Sequence, residues 1–400
     1  MSGNAQWKER GDRVFIGTYS RFPAAMVKGE GCRLWDADGR EYLDFLSGIA
    51  VCALGHSHPA VTEAVCRQAG TLLHVSNLFY TVPQIELAEL LIANTFADKI
   101  FMANSGAEAN EAALKLARIY SGPGRYEVIS LTGSFHGRTL ATVAATGQPR
   151  FHKGFEPLPQ GFIHAEFGDP AAIEELISER TCAILCEPLQ GESGVRPLEP
   201  EYLRAIRALC DRHNLLLIFD EVQTGMGRTG TLFAYEQLGV TPDIMTVAKA
   251  LGNGLPIGAM LTTDRIAASL TVGTHASTFG GNPVAAAAAV AVLRLMLADG
   301  FLAGVRERGA YFADQLAGVT RQFPELATGV RGRGMLLGLV LTEKGIGLGT
   351  RIVEEMFAQG ALINFAGNKV LRFVPPLVVS TAEIDDLVRR LTKVLASLNA

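Results

Sequence analysis

Leu215-Leu216-Leu217-Ile218-Phe219-Asp220 is an unbroken apolar run closed by an acid, and Ile244-Met245-Thr246-Val247-Ala248-Lys249 is a second run closed by an amine. Turn-forming sequence follows each: Glu221-Val222-Gln223-Thr224-Gly225 after the first, Ala250-Leu251-Gly252-Asn253-Gly254 after the second. Short continuous runs of this kind read as buried strands of a parallel sheet. Further strand candidates are Lys99–Ala103, Tyr126–Leu131, Cys182–Glu187 and Gly258–Thr262, and the two runs above span Leu215–Asp220 and Asp243–Ala248. Helix-period segments lie between most of them, for example Ala107–Tyr120, Ala171–Glu179 and Pro200–His213. Strands alternating with helices predict an α/β fold whose mostly parallel sheet is covered on both faces.

The ends of the chain read differently. Cys32–Asp36 and Glu41–Phe45 flank the turn Asp38-Gly39. The other end mixes a long helix near Phe301–Phe323, strands at Met335–Leu341 and Leu371–Val374, and a final helix from Thr381. Four hundred residues exceed one compact core. Residues 61–290 are expected to form a large domain, and 1–60 with 291–400 a smaller α+β domain beside it, with a cleft between them as a favoured ligand site.

Composition narrows the partners. Hydrophobic residues make up 48% and charged ones 19%, and the net charge of −4 lacks the basic footprint of a nucleic-acid binder. The polar start MSGNAQWKERGDR has no signal-peptide core, and Pro283 to Leu297 is too short for a bilayer and is broken by Arg294. A soluble cytoplasmic protein without a membrane partner is expected. The six cysteines show no CxxC spacing, and His56 and His58 have no third ligand nearby, so neither a disulfide framework nor a metal site is expected. Cys182 and Cys186 are expected to share one face of a buried strand as core residues.

Asp220 and Lys249 would lie side by side beyond the carboxyl ends of neighbouring strands, where parallel sheets hold their ligands. An anion beside an amine suits pyridoxal phosphate, which needs an acid against its ring nitrogen and a lysine to condense with its aldehyde. An ion pair at the sheet edge is the alternative for these two residues alone. Asn104-Ser105-Gly106-Ala107-Glu108-Ala109-Asn110-Glu111 opens a helix after a strand, an arrangement that binds anions such as phosphate, with Ser105 and Glu108 spaced as a capping box. Ser134-Phe135-His136-Gly137-Arg138-Thr139 follows the next strand and offers a ring to stack on a flat cofactor and a guanidinium for a carboxylate. Gly225-Met226-Gly227-Arg228-Thr229-Gly230 matches G-x-G-x-x-G, but Asp220 to Thr224 intervene after the strand and no convincing helix follows, so a dinucleotide site is rejected.

Taken together, SGAEANE, FHGRT, EPLQGESG, FDEVQTGMGRTG, AKALGNGLPIGA and HASTFGGNP resemble a class III aminotransferase of fold type I, over nearly the whole chain. The resemblance implies a seven-stranded-type sheet and pyridoxal 5'-phosphate as cofactor. FLSGIAVCALGHSHPAV, HVSNLFYT and LRFVPPLVV are most similar to the members acting on N2-acetyl-L-ornithine with 2-oxoglutarate as acceptor. Succinylornithine, ornithine, N-succinyl-diaminopimelate or 4-aminobutyrate are the alternative donors, and an aminomutase or a non-catalytic binding protein the alternative classes. By resemblance, Lys249 bonds the cofactor and shuttles a proton, Asp220 pairs with the ring nitrogen and Gln223 reaches the phenolic oxygen. Gly106 and Ala107 hold the phosphate, Phe135 stacks on the ring, and Glu221 and Val222 belong to the same cofactor-binding segment. Thr278 is implied to reach the phosphate of a neighbouring subunit in a homodimer with sites at the interface, with Ser277 near the substrate. Arg138 and Arg372 are the implied carboxylate receptors, and Glu192 pairs with Arg372 when no carboxylate does.

Overall fold

A computed structural model describes residues 3–399. Its largest sheet has seven strands: β1 (Lys99–Ala103), β2 (Glu127–Leu131), β3 (Phe162–Ala165), β4 (Thr181–Cys186), β5 (Leu216–Asp220), β6 (Ile244–Val247) and β7 (Gly258–Thr262), in the order β1-β7-β6-β5-β4-β2-β3. From β3 to β6 all neighbours are parallel, whereas β7 runs antiparallel to both β6 and β1. Every residue of β2, β4, β5, β6 and β7 is buried, as a sheet covered on both faces requires.

Alternation along β5 decides what lies where. Leu216 and Ile218 pack towards the helix Gly106–Ser121, with its Ala112, Ala113 and Leu116. Leu215, Leu217 and Phe219 pack towards the helix Pro200–His213, with its Leu203, Ile206 and Leu209. Each buried Leu or Phe contributes about 1.5–3 kcal/mol. The same two-residue period sends Asp220 to the first side and Glu221 to the second.

Three expectations change. The helix foreseen at Ala171–Glu179 spans only Pro170–Glu174, because Ser178 and Thr181 bond each other in a turn that leads into β4. Cys182 and Cys186 fall into different apolar clusters: the pairing of β4 with β2 slips by one residue at Cys182, whose thiol donates to the Glu127 carbonyl (3.1 Å). The strand β3 (Phe162–Ala165) carries no expected counterpart.

One smaller sheet joins both ends of the chain. Met26–Glu30, Arg33–Asp36 and Glu41–Asp44 form antiparallel neighbours, and Ala361–Leu362 adds to them in parallel. Ala327–Arg333, Leu336–Leu341, Val370–Phe373 and Asn364–Ala366 make a second, antiparallel four-stranded sheet. One apolar cluster runs through Phe45, Leu87, Val247, Ala286, Phe312 and Phe373, so the two sheet systems share a packed core. Among the described residues no single helix is long and apolar enough to cross a membrane, and no group of three or more His, Cys, Asp and Glu is placed to hold a metal ion. His56 instead bonds Asp44 (2.7 Å), which raises its pKa to about 9.

Candidate active site

Beyond the carboxyl ends of β4, β5 and β6 lies a cavity of about 350 Å³ lined by, among others, Gly106, Ala107, Phe135, Glu187, Asp220 and Lys249. Asp220 ends β5 opposite Thr246 of β6, and Lys249 follows β6 two residues beyond its end, so the sheet itself sets acid and amine on adjoining strands. Lys249 has φ +46, a conformation that L-residues seldom adopt and that clusters at functional sites. Its side chain opens on the cavity, and burial lowers the amine's pKa against the pull of Glu192 and Asp220. A lowered pKa supplies more of the neutral, nucleophilic form.

Asp220 sits in a ring of donors. Asn110 Nδ2 gives a hydrogen bond to Oδ2 (2.8 Å), His136 Nδ1 gives another to the same oxygen (2.8 Å), and the Val222 N–H donates to Oδ1 (3.0 Å). Asn110 is itself held by donating to the His136 carbonyl (2.8 Å) and accepting from Thr246 Oγ1 (2.7 Å). Neither Asn110 nor His136 was assigned a role from sequence. Both signals were present: Asn110 lies four residues after Gly106, on the same helix face, and His136 adjoins Phe135.

Glu221 departs from its expected role. Its carboxylate accepts from the Ala234 N–H (2.8 Å), the Tyr235 N–H (2.8 Å) and Thr224 Oγ1 (2.7 Å), on the opposite side of the sheet from the cavity. Strand alternation is the reason, and burial there pushes its pKa up to about 7. Val222 does line the cavity, and a Cβ on Gly106 would come within 2.7 Å of its side chain, so glycine permits the helix start to approach this closely.

The helix Gly106–Ser121 points its N-terminus at the cavity. Ser105 Oγ accepts from the Glu108 N–H (3.2 Å), while Glu108 reaches back one residue further than a capping box, to the Asn104 N–H (2.8 Å). The N–H groups of Gly106 and Ala107 find no acceptor within the helix. Phe135 lines the cavity and meets Phe151 edge to face, with centroids 5.6 Å apart.

The carboxylate receptors separate. Arg372 is 1% exposed and donates to Glu192 Oε1 (2.7 Å), the Gly191 carbonyl (2.9 Å) and Asn364 Oδ1 (3.1 Å). Burial opposes the charge on Glu192, but Arg372 outweighs it and lowers the carboxyl pKa to about 2. Gln223 bridges the pair, donating to Glu192 and accepting from Arg372 (both 3.3 Å). The backbone under Glu192 is confined: Arg331 donates twice to the Gly194 carbonyl, a Cβ on Gly367 would meet Ser193 carbon at 2.4 Å, and one on Gly191 would meet Gln223 Oε1 at 1.7 Å. Arg138, by contrast, is exposed and outside the cavity lining, its guanidinium 4.1 Å from the Phe151 ring centroid. Ser277 Oγ accepts from Asn104 Nδ2 (3.2 Å) near the cavity, while Thr278 lines a separate depression with His74 and Asn77.

A buried amine, an anchored acid and a helix N-terminus around one cavity match the aldehyde, ring nitrogen and phosphate of pyridoxal phosphate, so the donor set fits that group. Fold and site together define a pyridoxal-phosphate-dependent aminotransferase of fold type I. The chain belongs to the class-III aminotransferases, whose family model matches residues 17–395. It is 48% identical over 390 residues to the acetylornithine aminotransferase of Caldanaerobacter subterraneus subsp. tengcongensis, covering 96% of this chain and 98% of that one. It is also 48% identical over 390 residues to the succinylornithine transaminase of Yersinia pseudotuberculosis, covering 95% and 94%. Among solved structures, the ornithine aminotransferase of Toxoplasma gondii, with pyridoxal phosphate at partial occupancy in its active site, superposes with a TM-score of 0.93 at 32% identity, covering 98% of this chain and 94% of that one.

Proposed function

We propose that the enzyme transfers the δ-amino group of N2-acetyl-L-ornithine to 2-oxoglutarate, giving N-acetyl-L-glutamate 5-semialdehyde and L-glutamate, as a cytoplasmic step of arginine biosynthesis. The observation that carries this reading is the Glu192–Arg372 pair at the cavity, 2.7 Å apart. N2-acetyl-L-ornithine reacts through its distal amine and brings one carboxylate, whereas glutamate reacts at its α-carbon and brings two. Glu192 masks Arg372 for the first and turns away for the second. Relatives of both names support an acylated ornithine as donor, with the succinyl compound as the second reading.

When bound, pyridoxal phosphate supplies an aldehyde for the donor's amine and an electron-accepting ring. The chain's residues do the rest. Gly106 and Ala107 offer N–H groups to the phosphate, and Phe135 covers the ring. Asp220, braced by Asn110 and His136, holds an anion against the ring nitrogen. Lys249 would bond the cofactor and, once free, hold and move a proton on its Nζ. Arg372 takes the α-carboxylate of glutamate.

Arg372→Ala is expected to slow the glutamate half-reaction by about 100-fold or more, the usual loss when a buried charged receptor is removed, and the acetylornithine half-reaction far less. Glu192→Ala should lower the preference for the ω-amine donor, since nothing then masks Arg372. Rapid mixing of each variant with each amine measures both halves, and equal losses in both would sink the masking role. Ranking acetylornithine, succinylornithine, ornithine and 4-aminobutyrate on the unmutated enzyme decides the donor.

A homodimer with sites at the interface completes the reading. It is supported by the exposed apolar residues Leu78, Phe79, Tyr80 and Phe279, whose two segments are tied by Asn77 donating to the Ser277 and Gly280 carbonyls. Thr278 then serves the partner's phosphate. Mixing inactive Lys249→Ala chains with inactive Thr278→Phe chains should restore activity in part, because mixed dimers hold one site with both native residues. No recovery despite proven subunit exchange would refute the shared site.

A further inference from the structure

Glu187 is the third residue delivered to this edge by the sheet. It follows β4 directly, one step beyond Cys186, which pairs with Phe219, so the sheet brings Glu187 and Asp220 to the same level on adjacent strands. It is 6% exposed and lines the cavity. Its Oε2 accepts one hydrogen bond, from the Phe135 N–H (3.0 Å), and no Lys, Arg or His among the described residues pairs with it. Asp220 by comparison takes three donors. Two carboxyls at the same level of adjacent strands disfavour a second charge, and the one with more donors is the seat for the first. A buried carboxylate with a single backbone donor and no cation is costly.

We propose that Glu187 is a positioning residue of the cofactor site that works uncharged, holding the Phe135 loop through Oε2 and leaving Asp220 as the one anion facing the ring. The groups around it agree. Burial and then Asp220 raise its pKa well above the usual carboxyl range, Glu192 adds to this, and the Phe135 N–H and Lys249 pull the other way without reversing it. His136 points its Nδ1 at Asp220 and not at Glu187. The proposal rests on the cofactor site and not on the identity of the donor.

The test compares holoenzymes of unmutated, Glu187→Gln and Glu187→Ala protein, without any amino donor. At neutral pH, infrared difference spectra should show the carbonyl stretch of a protonated buried carboxyl, lost in Glu187→Gln. Cofactor retention on dilution should stay within about threefold for Glu187→Gln, whose amide oxygen can still accept from Phe135. It should fall about tenfold or more for Glu187→Ala, which leaves that N–H without an acceptor. Absence of the protonated-carboxyl band overturns the proposal, as does equal loss in both variants, which would mean the charge is needed. Should Glu187→Ala not fold, the band and Glu187→Gln retention decide alone. A wrong donor assignment leaves all these readouts untouched.

Discussion

Lys249→Ala enzyme is expected to lose turnover by about four orders of magnitude or more, while keeping much of its hold on the cofactor. On the proposed reading, removing the amine takes away both the covalent attachment point and the group that moves the proton, and general acid–base catalysis alone is worth about 10²- to 10⁴-fold. Retention follows because Gly106, Ala107, Phe135 and Asp220 contact the cavity from other elements. Steady-state rates and cofactor titration of the variant check both halves. Near-normal turnover would remove Lys249 from the chemistry.

Asp220→Asn is expected to lower turnover by about 100- to 1,000-fold, or roughly 3–4 kcal/mol of barrier at 1.36 kcal/mol per decade. Two causes add. A neutral amide cannot hold the ring nitrogen protonated, and an amide nitrogen placed at Oδ2 would face the donors Asn110 and His136. His136→Ala separates them, since it removes one donor and keeps the acid, and should cost much less. Unchanged kinetics in Asp220→Asn would mean that another group faces the ring.

Strands with continuous aliphatic runs were legible in the sequence because burial on both faces leaves a compositional mark; β5 and β6 show it plainly. The four-residue β3 was not, since Phe162-Ile163-His164-Ala165 includes a polar residue and is too short to set a period. Nothing local told that β7 would run antiparallel to its neighbours. Its residues are as apolar as those of a parallel strand, and direction follows only from the chain's route. At the site, the placement of Asp220 and Lys249 at neighbouring strand ends was readable from position, and both line the cavity there. Glu221 was misread because a motif names consecutive residues while a strand end sends them to opposite faces. Glu187 occupies the same kind of position as Asp220, and the strand-end argument reaches it if applied to every strand of the sheet. What sequence could not supply was the network: Asn110 reaches Asp220 only because the helix Gly106–Ser121 crosses β5 at that point.

The confinement of the loop beneath Glu192 bears on which parts of the chain the proposed cycle has to move. With Gly191, Ser193 and Gly194 each held by a neighbour, the proposed turning of the carboxylate away from Arg372 would use its own side-chain bonds. Such rotations are far faster than the rearrangement of a loop, picoseconds to nanoseconds where a side chain is free against nanoseconds to microseconds for backbone segments. On the proposed reading, alternating between two differently charged substrates therefore asks for no rearrangement of this loop.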